Sequence, residues 1–264
     1  MAEDPDHIAD GRILMDFIGQ HVVITGGSTG IGRAAAGRIV AAGGRVTLIA
    51  RRPDMLETAG RELGAKANWI TADAGEKDAL LAALDGAVAL HGPIDGLFLN
   101  HGTEGMFGLT PDYTDEAFER AMRVNAFSLF WATRHVLPAM TARGRGAILI
   151  TGSLGGETGM VGNIGYCASK HAAVGIARTI AMEAAASGVR CNWIAPGFID
   201  TAMLGDVPES FKAQMARRVP QKRIGTPDEA GAVAAFLLSD DASHVTAQGL
   251  AIDGGLLGTL VIEQ

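Results

Sequence analysis

Short apolar runs rich in β-branched residues alternate along the chain with longer stretches in which apolar residues recur at helical spacing. The apolar runs predict seven strands, at residues 21–25, 45–50, 67–72, 94–100, 146–151, 189–194 and 250–253. The longer stretches predict helices at residues 30–42, 53–63, 77–90, 114–140, 165–187 and 227–238. Strands this apolar are typical of a mostly parallel sheet with helices on both faces. The alternation therefore predicts a single, doubly wound α/β domain over residues 1–264.

Local signals set the start of two helices and mark one interruption. Thr114 is followed by two acidic residues, a composition favoured at an N-cap and in a first helical turn. Residues 226–229 read TPDE, which is a capping box with proline at the first helical position. Residues 198–220 break the alternation before that last helix. An insertion after a strand end is expected to act as a lid over a ligand.

Charge and composition argue against a nucleic-acid partner. The chain has a net charge of −7, and no long stripe of lysine and arginine follows any predicted element. The densest basic group is expected on a solvated helix and loop, and it consists of Arg217, Arg218, Lys222 and Arg223. The seven histidines lack the spacing of metal ligands, so no metal is expected.

The N-terminal segment and the cysteines indicate the cellular compartment in which the protein is expected. Residues 1–20 are acidic and lack the regions of a signal peptide, and no apolar run is long enough to span a bilayer. Cys167 and Cys191 lie in apolar surroundings without a Cys-x-x-Cys arrangement, and they are expected to be buried free thiols in a reducing compartment. The sequence therefore predicts a soluble cytoplasmic protein without a membrane partner.

A glycine-rich turn joins the first predicted strand to the first predicted helix. Its sequence, TGGSTGIG at residues 25–32, allows a tight turn and a close approach of the backbone to a pyrophosphate. The start of the helix adds free N–H groups and a positive dipole. The expected cofactor contacts of this Rossmann-like turn are Gly26, Ser28, Thr29, Gly30, Ile31 and Gly32.

The end of the second predicted strand bears on which dinucleotide is bound. Enzymes that use NAD usually place a carboxylate there for the ribose 2′-hydroxyl, whereas this chain has Ala50 followed by Arg51 and Arg52. A guanidinium pairs with a phosphate through two hydrogen bonds. We therefore expect Arg51, with Arg52 assisting, to bind the 2′-phosphate of NADP(H), which is preferred over NAD(H). The alternative is that both arginines are ordinary solvated loop residues.

Tyr166 and Lys170 are the candidates for acid/base catalysis. They stand at positions i and i+4 of one predicted helix, so their side chains share one helix face. A phenol has an ordinary pKa of about 10. A nearby ammonium and an oxidised nicotinamide are expected to lower the pKa of Tyr166 toward the working range of an acid or base. Tyr113 is the only other tyrosine in the chain.

The Thr-Gly-x-x-x-Gly-x-Gly turn and the Tyr-x-x-x-Lys pair resemble the short-chain dehydrogenase/reductase family, over about residues 16–258. The resemblance implies an oxidoreductase that uses a nicotinamide cofactor. It also implies that Ser153, which precedes Tyr166 at the family spacing, makes a hydrogen bond to the substrate oxygen. Asn125 lies in a predicted helix, where asparagine is intrinsically unfavourable. The resemblance implies that Asn125 supports a water that links Lys170 to solvent.

The same resemblance assigns further residues to the cofactor. Asp73 and Ala74 match a family segment beside the adenine. Asn100 and Gly102 match the family's Asn-Asn-Ala-Gly segment, in which Leu99 replaces the first asparagine and His101 replaces the alanine. His101 is interpreted as a tolerated change without chemistry, with a contact to cofactor or substrate as the alternative. A Pro-Gly-x-Ile-x-Thr segment is expected to hold the nicotinamide carboxamide, and its matching residues are Pro196, Gly197, Ile199 and Thr201.

The resulting hypothesis is hydride transfer between NADP(H) and a small, fairly hydrophobic ketone or secondary alcohol, with Tyr166 as general acid/base. A 3-oxoacyl carrier-protein reductase is the first alternative, but such enzymes have an arginine where this chain has Met182. An epimerase or dehydratase would have a different glycine spacing and a longer substrate domain. An NADP(H)-sensing protein without catalysis is the alternative from another class, although it needs no serine, tyrosine and lysine trio.

Assembly and the lining of the substrate pocket are further expectations. The family is usually tetrameric through paired long helices and the C-terminal strand, so a homotetramer is expected. The apolar residues 256–262 suit such an interface or the chain's own core. Candidates for the pocket lining, with plain packing as their alternative role, are Met160, Val161, Phe198 and Met203.

Overall fold

A seven-stranded parallel sheet forms the centre of the computed structural model, which describes residues 15–205 and 207–258. The sheet order is β3-β2-β1-β4-β5-β6-β7, and every neighbouring pair is parallel. The strands are β1 (His21–Thr25), β2 (Arg45–Ala50), β3 (Ala67–Thr71), β4 (Gly96–Leu99), β5 (Gly146–Thr151), β6 (Val189–Pro196) and β7 (Gly249–Ile252). The predicted doubly wound sheet is thus confirmed, and it is parallel throughout.

Helices cover both faces of this sheet and enclose two apolar cores. One core packs α3, α5 and α6 against the sheet, and the other packs α1, α2 and α8 against the opposite face. The helices are α1 (Gly30–Ala41), α2 (Pro53–Leu63), α3 (Lys77–His91), α4 (Asp115–Met122), α5 (Ser128–Arg143), α6 (Ile164–Ala184), α7 (Glu209–Arg218) and α8 (Pro227–Leu238). Burial on both sides explains why the strand sequences are apolar without alternation.

The helix predicted at residues 114–140 is helical without a break and extends to Arg143, but it is not α-helical throughout. It begins as predicted, because the Thr114 hydroxyl accepts the N–H of Ala117 at 3.2 Å. It then widens into a π-helical segment, Arg123–Phe127, that separates α4 from α5. A π turn of this kind inserts one residue into the helical ladder and is frequent at functional sites. Propensity and periodicity do not reveal it, since both flanks retain an ordinary helical pattern.

Several other boundaries differ from the predictions by small shifts. The strand predicted at 94–100 is shorter, Gly96–Leu99, whereas the strand predicted at 189–194 extends to Pro196. The helix predicted at 165–187 ends at Ala184 and continues as a 3₁₀ turn. The predicted capping box before α8 is confirmed by reciprocal bonds between residues 226 and 229. Residues 198–220 contain α7 and a short 3₁₀ turn, and α7 has no buried residue.

The two cysteines differ in burial. Cys191 is buried as expected, but Cys167, in the first turn of α6, is only partly buried. The predictions for residues 1–20 and 256–262 fall largely outside the described residues, as does the side chain of Met203. Within the described ranges, no helix combines the length and apolar character needed to cross a membrane.

Strand order reverses between β1 and β4, and this reversal positions the site. Chain connections leave the sheet in opposite directions on the two sides of that point, which opens a crevice at the carboxyl ends of the strands. Thr25, Leu99, Thr151 and Pro196 end their strands at this edge. The glycine turn and the segments that follow β4, β5 and β6 therefore meet there.

Candidate active site

The glycine turn after β1 has the conformation that its sequence predicts. Gly26 and Gly30 have positive φ angles of 66° and 55°, which favour glycine over residues with a Cβ. A Cβ on Gly32 would lie 2.5 Å from the Gly26 carbonyl oxygen, so the turn closes only with glycine there. Ser28 and Ile31 are buried beneath the turn. The backbone of this turn can therefore approach a ligand closely.

The start of α1 is suited to an anion. Thr29 occupies the N-cap position, but its side chain makes no capping hydrogen bond, and the first turn contains no acidic residue. The first N–H groups and the helix dipole thus have no side-chain carboxylate or capping oxygen to satisfy them. Thr201 lies across from the turn, since a Cβ on Gly30 would come within 3.1 Å of its methyl group. This cradle fits a pyrophosphate.

Two arginines follow β2 at the same edge of the sheet. Arg51 and Arg52 are exposed, and the Arg51 guanidinium lies 3.9 Å from a carboxylate oxygen of Asp73. The other carboxylate oxygen of Asp73 accepts the N–H of Gly75 at 2.8 Å, and Ala74 between them is buried. These two exposed guanidinium groups could hold an anionic group of a cofactor.

Asn100 ties the glycine turn to the end of β5. Its side-chain N–H donates to the Gly26 carbonyl at 3.3 Å, and its side-chain oxygen accepts the Thr151 hydroxyl at 2.9 Å. After β6, a Cβ on Gly197 would lie 2.7 Å from the Cβ of Asp253. Pro196 and the buried Ile199 flank that glycine, and Thr201 follows beside the turn. The candidate cofactor residues therefore line one continuous edge.

Ser153, Tyr166 and Lys170 meet where β5 and α6 approach each other. Asn163 is the N-cap of α6, and its side-chain oxygen accepts the N–H of Tyr166 at 3.3 Å. The Ser153 hydroxyl accepts the N–H of Gly155 at 3.0 Å, and it lies close enough to Tyr166 to lower the pKa of the phenol. The ammonium of Lys170 lies 5.8 Å from the centre of the tyrosine ring. The predicted trio is thus brought together.

Burial dominates the electrostatics of the tyrosine and the lysine. It raises the pKa of Tyr166, an effect that the nearby Ser153 hydroxyl opposes and the Glu104 carboxylate reinforces. Burial also lowers the pKa of Lys170 to about 8. The expectation that Lys170 lowers the pKa of Tyr166 is therefore not met by these side chains. The physical reason is desolvation, which disfavours both the phenolate and the ammonium.

Lys170 and Asn125 are held by backbone groups of neighbouring segments. The buried Lys170 ammonium donates to the Thr151 carbonyl at 2.8 Å. Asn125, in the π segment, accepts the N–H of Thr103 and donates to the Thr103 carbonyl, both at 2.8 Å. A Cβ on Gly102 would lie 3.2 Å from the Asn125 side-chain oxygen and 3.5 Å from the lysine nitrogen. Glycine at 102 thus lets these two side chains approach each other.

Sequence reasoning missed three residues that shape the site. Thr103 fixes Asn125, and the Asn163 side chain also donates to the Glu104 carbonyl at 3.0 Å. The half-buried Glu104 makes no ion pair among the described residues, and burial raises its pKa. Of these three residues, only Asn163 could have been identified from the sequence, because an asparagine three residues before Tyr166 has the spacing of a helix N-cap.

The predicted pocket residues differ in their exposure and in their proximity to Tyr166. Met160 lies near Tyr166, since a Cβ on Gly155 would approach the tyrosine ring at 3.0 Å and the Met160 sulfur at 3.2 Å. Val161 is 94% exposed, and Phe198 is partly buried after β6. Met160 and Val161 thus lie at the mouth of the site.

Known proteins resemble this chain along most of its length. A family model described as enoyl-(acyl carrier protein) reductase matches residues 26–257. Levodione reductase of Leifsonia aquatica is 36% identical over 255 residues, covering 90% of this chain and 94% of that protein. Cyclohexanol dehydrogenase of Acinetobacter sp. strain SE19 is 34% identical over 241 residues, covering 90% and 95% respectively.

Solved structures extend the likeness to three dimensions. A levodione reductase structure matches with a TM-score of 0.89 at 34% identity, covering 92% of this chain and 99% of that one. An actinorhodin polyketide ketoreductase structure with NADPH matches with a TM-score of 0.85 at 32% identity, covering 91% and 98%. Because sequence and structure match along nearly the whole chain, this protein belongs to the short-chain dehydrogenase/reductase family.

Proposed function

We propose that the protein transfers a hydride between NADP(H) and a hydrophobic ketone or secondary alcohol, with Tyr166 as general acid/base. The observation that carries this proposal is the meeting of Ser153, Tyr166 and Lys170 beside the glycine turn, at the carboxyl edge of the sheet. A serine hydroxyl beside a phenol and a buried ammonium is suited to proton transfer at a substrate oxygen.

The direction of proton transfer follows from the environment of Tyr166. A bound nicotinamide supplies the hydride in reduction and accepts it in oxidation. Burial raises the pKa of Tyr166, so the side chain is a neutral phenol at neutral pH and can give its proton to a carbonyl oxygen. Ser153 donates a hydrogen bond to the same oxygen as negative charge develops there. Lys170 and Asn125 return a proton to the tyrosine from solvent.

The preference for NADP(H) rests on the residues after β2. Arg51 and Arg52 would hold the 2′-phosphate, and the glycine turn would hold the pyrophosphate. Asp73, Ala74, Asn100 and Gly102 would lie along the adenine and ribose side of the cofactor. The segment from Pro196 to Thr201 would hold the carboxamide, with Ile199 contributing its backbone. The exposed guanidinium pair supports this assignment.

The rim of the site supports a hydrophobic substrate. Two segments, residues 103–109 and 157–163, are joined by the N–H of Gly108, which donates to the Gly162 carbonyl at 2.8 Å. Their exposed apolar side chains are Phe107, Leu109, Met160 and Val161. Apolar side chains left exposed beside a catalytic group are suited to an apolar ligand. The relatives named for levodione and cyclohexanol favour a cyclic ketone or alcohol within this class.

Residues 198–220 are proposed as a lid, and a homotetramer as the assembly. The exposed α7 lies within that segment, downstream of Thr201. Phe127, at the end of the π segment, and Phe130, on α5, are each 50% exposed. Exposed aromatic side chains here suit the packing of this long helix against the same helix of a second copy. A carrier-protein substrate finds no comparable support, because Met182 presents an exposed apolar side chain where such reductases have an arginine.

The test is turnover with defined substrates. Purified protein is mixed with NADPH or NADH and with cyclohexanone, substituted cyclic ketones, an open-chain ketone or a 3-oxoacyl thioester, and the loss of nicotinamide absorbance is followed. The proposal expects oxidation of NADPH with at least one cyclic ketone and lower kcat/KM with NADH. Tight NADPH binding without turnover of any substrate would instead favour a sensor, and selective turnover of the thioester would favour the carrier-protein alternative.

A further inference from the structure

His101 lies beneath the site and connects two segments that the mechanism uses. Its Nδ1 atom is 2.7 Å from the Thr25 hydroxyl oxygen, and its Nε2 atom is 2.7 Å from the Ser128 hydroxyl oxygen. Thr25 ends β1 immediately before the glycine turn, and Ser128 begins α5 immediately after the π segment. One imidazole therefore spans from the cofactor turn to the helix that contains Asn125.

The neighbouring hydrogen bonds fix where the imidazole proton lies. The Ser128 hydroxyl donates to the Val124 carbonyl at 2.7 Å, so its oxygen accepts the N–H at Nε2 of His101. The Nδ1 atom then accepts the hydroxyl proton of Thr25, which has only a longer contact of 3.3 Å to the Phe98 carbonyl. Burial lowers the pKa of His101 to about 4, so the ring stays neutral with this single tautomer.

The chain of bonds ends inside the π segment, next to Asn125. From Thr25 through His101 and Ser128 it reaches the carbonyl of Val124, the residue that precedes Asn125. On the other side, the Asn125 side chain is held by the backbone of Thr103. His101 and Thr103, the two residues that flank Gly102, thus hold the π segment from both sides.

We propose that His101 is a positioning residue that fixes the π segment, and with it Asn125, relative to the cofactor turn. Loss of the His101 imidazole leaves the Thr25 and Ser128 hydroxyls without their shared hydrogen-bond partner. The π segment is then no longer held in place relative to the cofactor turn. Asn125 and Lys170 then lose the fixed spacing across Gly102. The consequence for catalysis rests on the proposed function, whereas the consequence for the π segment does not.

Hydrogen exchange tests the bridge without turnover. The probe is the backbone exchange rate of residues 123–128 in wild type and His101→Ala, measured by mass spectrometry. His21→Ala is the matched control, because the buried His21, like the partly buried His101, makes two ring-nitrogen hydrogen bonds, at 3.1 and 2.9 Å, but at the opposite edge of the sheet. Exchange in the π segment is expected to rise roughly tenfold in His101→Ala and to stay unchanged in His21→Ala.

Turnover gives the second readout. His101→Ala is expected to lower kcat by roughly tenfold to a hundredfold and to increase the solvent deuterium isotope effect on kcat, because return of the proton becomes slower. His101→Gln, which retains one acceptor and one donor, is expected to recover part of kcat. His21→Ala is expected to keep the wild-type isotope effect.

The two proposals fail in different ways. Equal exchange rates of the π segment in wild type and His101→Ala would overturn the positioning role, whether or not any substrate turns over. Faster exchange together with unchanged kcat and isotope effect would also overturn it, because the segment would move without effect on proton transfer. A wild-type protein that turns over no substrate would refute the proposed function, and the exchange rates would still decide the bridge.

Discussion

The cofactor preference can be tested at Arg51. This guanidinium is 61% exposed, follows β2 directly, and lies 3.9 Å from Asp73 in a loose ion pair. Replacing it with serine removes one of two positive charges near the proposed 2′-phosphate position and disturbs no buried contact. The affinity for NADPH is therefore expected to fall, whereas the affinity for NADH, which has no 2′-phosphate, is expected to stay nearly constant.

The size of the effect follows from the exposure of the side chain. A hydrogen bond to a charged group contributes about 1.5–3 kcal/mol, and an exposed arginine in water takes the lower end of that range. A loss of about 1.5 kcal/mol corresponds to roughly a tenfold increase in Kd. The retained Arg52 limits the loss further. Arg51→Asp is expected to have a larger effect, because it adds repulsion to the phosphate and supplies an acceptor for a 2′-hydroxyl.

Binding is measured directly, by the fluorescence of NADPH and NADH in titrations with each variant. Arg61→Ser serves as the matched control, because Arg61 is a comparably exposed arginine that pairs with Glu57 on α2. Its two Kd values are expected to equal those of the wild type. A Kd for NADPH that stays unchanged in both Arg51 variants, or that changes in parallel with the Kd for NADH, would refute the assignment.

Three further predictions concern the tyrosine, stability in acid and assembly. Glu104→Gln removes a negative charge that raises the pKa of Tyr166, so the pH at which kcat/KM for alcohol oxidation is half-maximal is expected to fall; an unchanged pH profile would contradict this. Burial lowers the pKa of His21 from 6.5 to about 4, so the folded protein binds fewer protons than the unfolded chain between these values. The stability that His21 contributes above pH 6.5 is lost as the pH falls through this window, by about 3 kcal/mol in total. Urea unfolding on both sides of the window should show a smaller loss in His21→Asn than in wild type, and equal losses would contradict the sign. Phe130→Glu places a charge on the exposed face of α5 and is expected to convert a tetramer into smaller species in sedimentation velocity, whereas an unchanged tetramer would exclude this face as the interface.

The sheet and most of its helices were predictable from the sequence because local signals agree with the global fold. Apolar β-branched runs gave the strands, and the capping box at residues 226–229 gave the start of α8. That Tyr166 and Lys170 share one helix face was also predictable, since an i, i+4 pair lies on an element that the pattern already defines. The nearby position of Ser153 was implied by the family resemblance.

The interactions between segments distant in sequence were not predictable. The π turn at Arg123–Phe127 has no signature in hydrophobic periodicity. His101 was interpreted as a change without chemistry, yet it joins Thr25 to Ser128, residues that lie 76 positions before it and 27 positions after it. The pKa of Tyr166 was expected to fall because of Lys170 and an oxidised nicotinamide. Among the protein's own groups, burial, which only the folded chain defines, instead raises this pKa.

The most direct test of the proposed chemistry is the turnover of Tyr166→Phe with NADPH and a cyclic ketone that the wild type reduces. The phenol oxygen is the only group removed, so turnover is expected to be abolished while the Kd for NADPH stays close to that of the wild type. Tyr113→Phe, at the only other tyrosine, is expected to retain turnover. Turnover by Tyr166→Phe at a rate near that of the wild type would contradict the assignment of Tyr166 as the general acid/base.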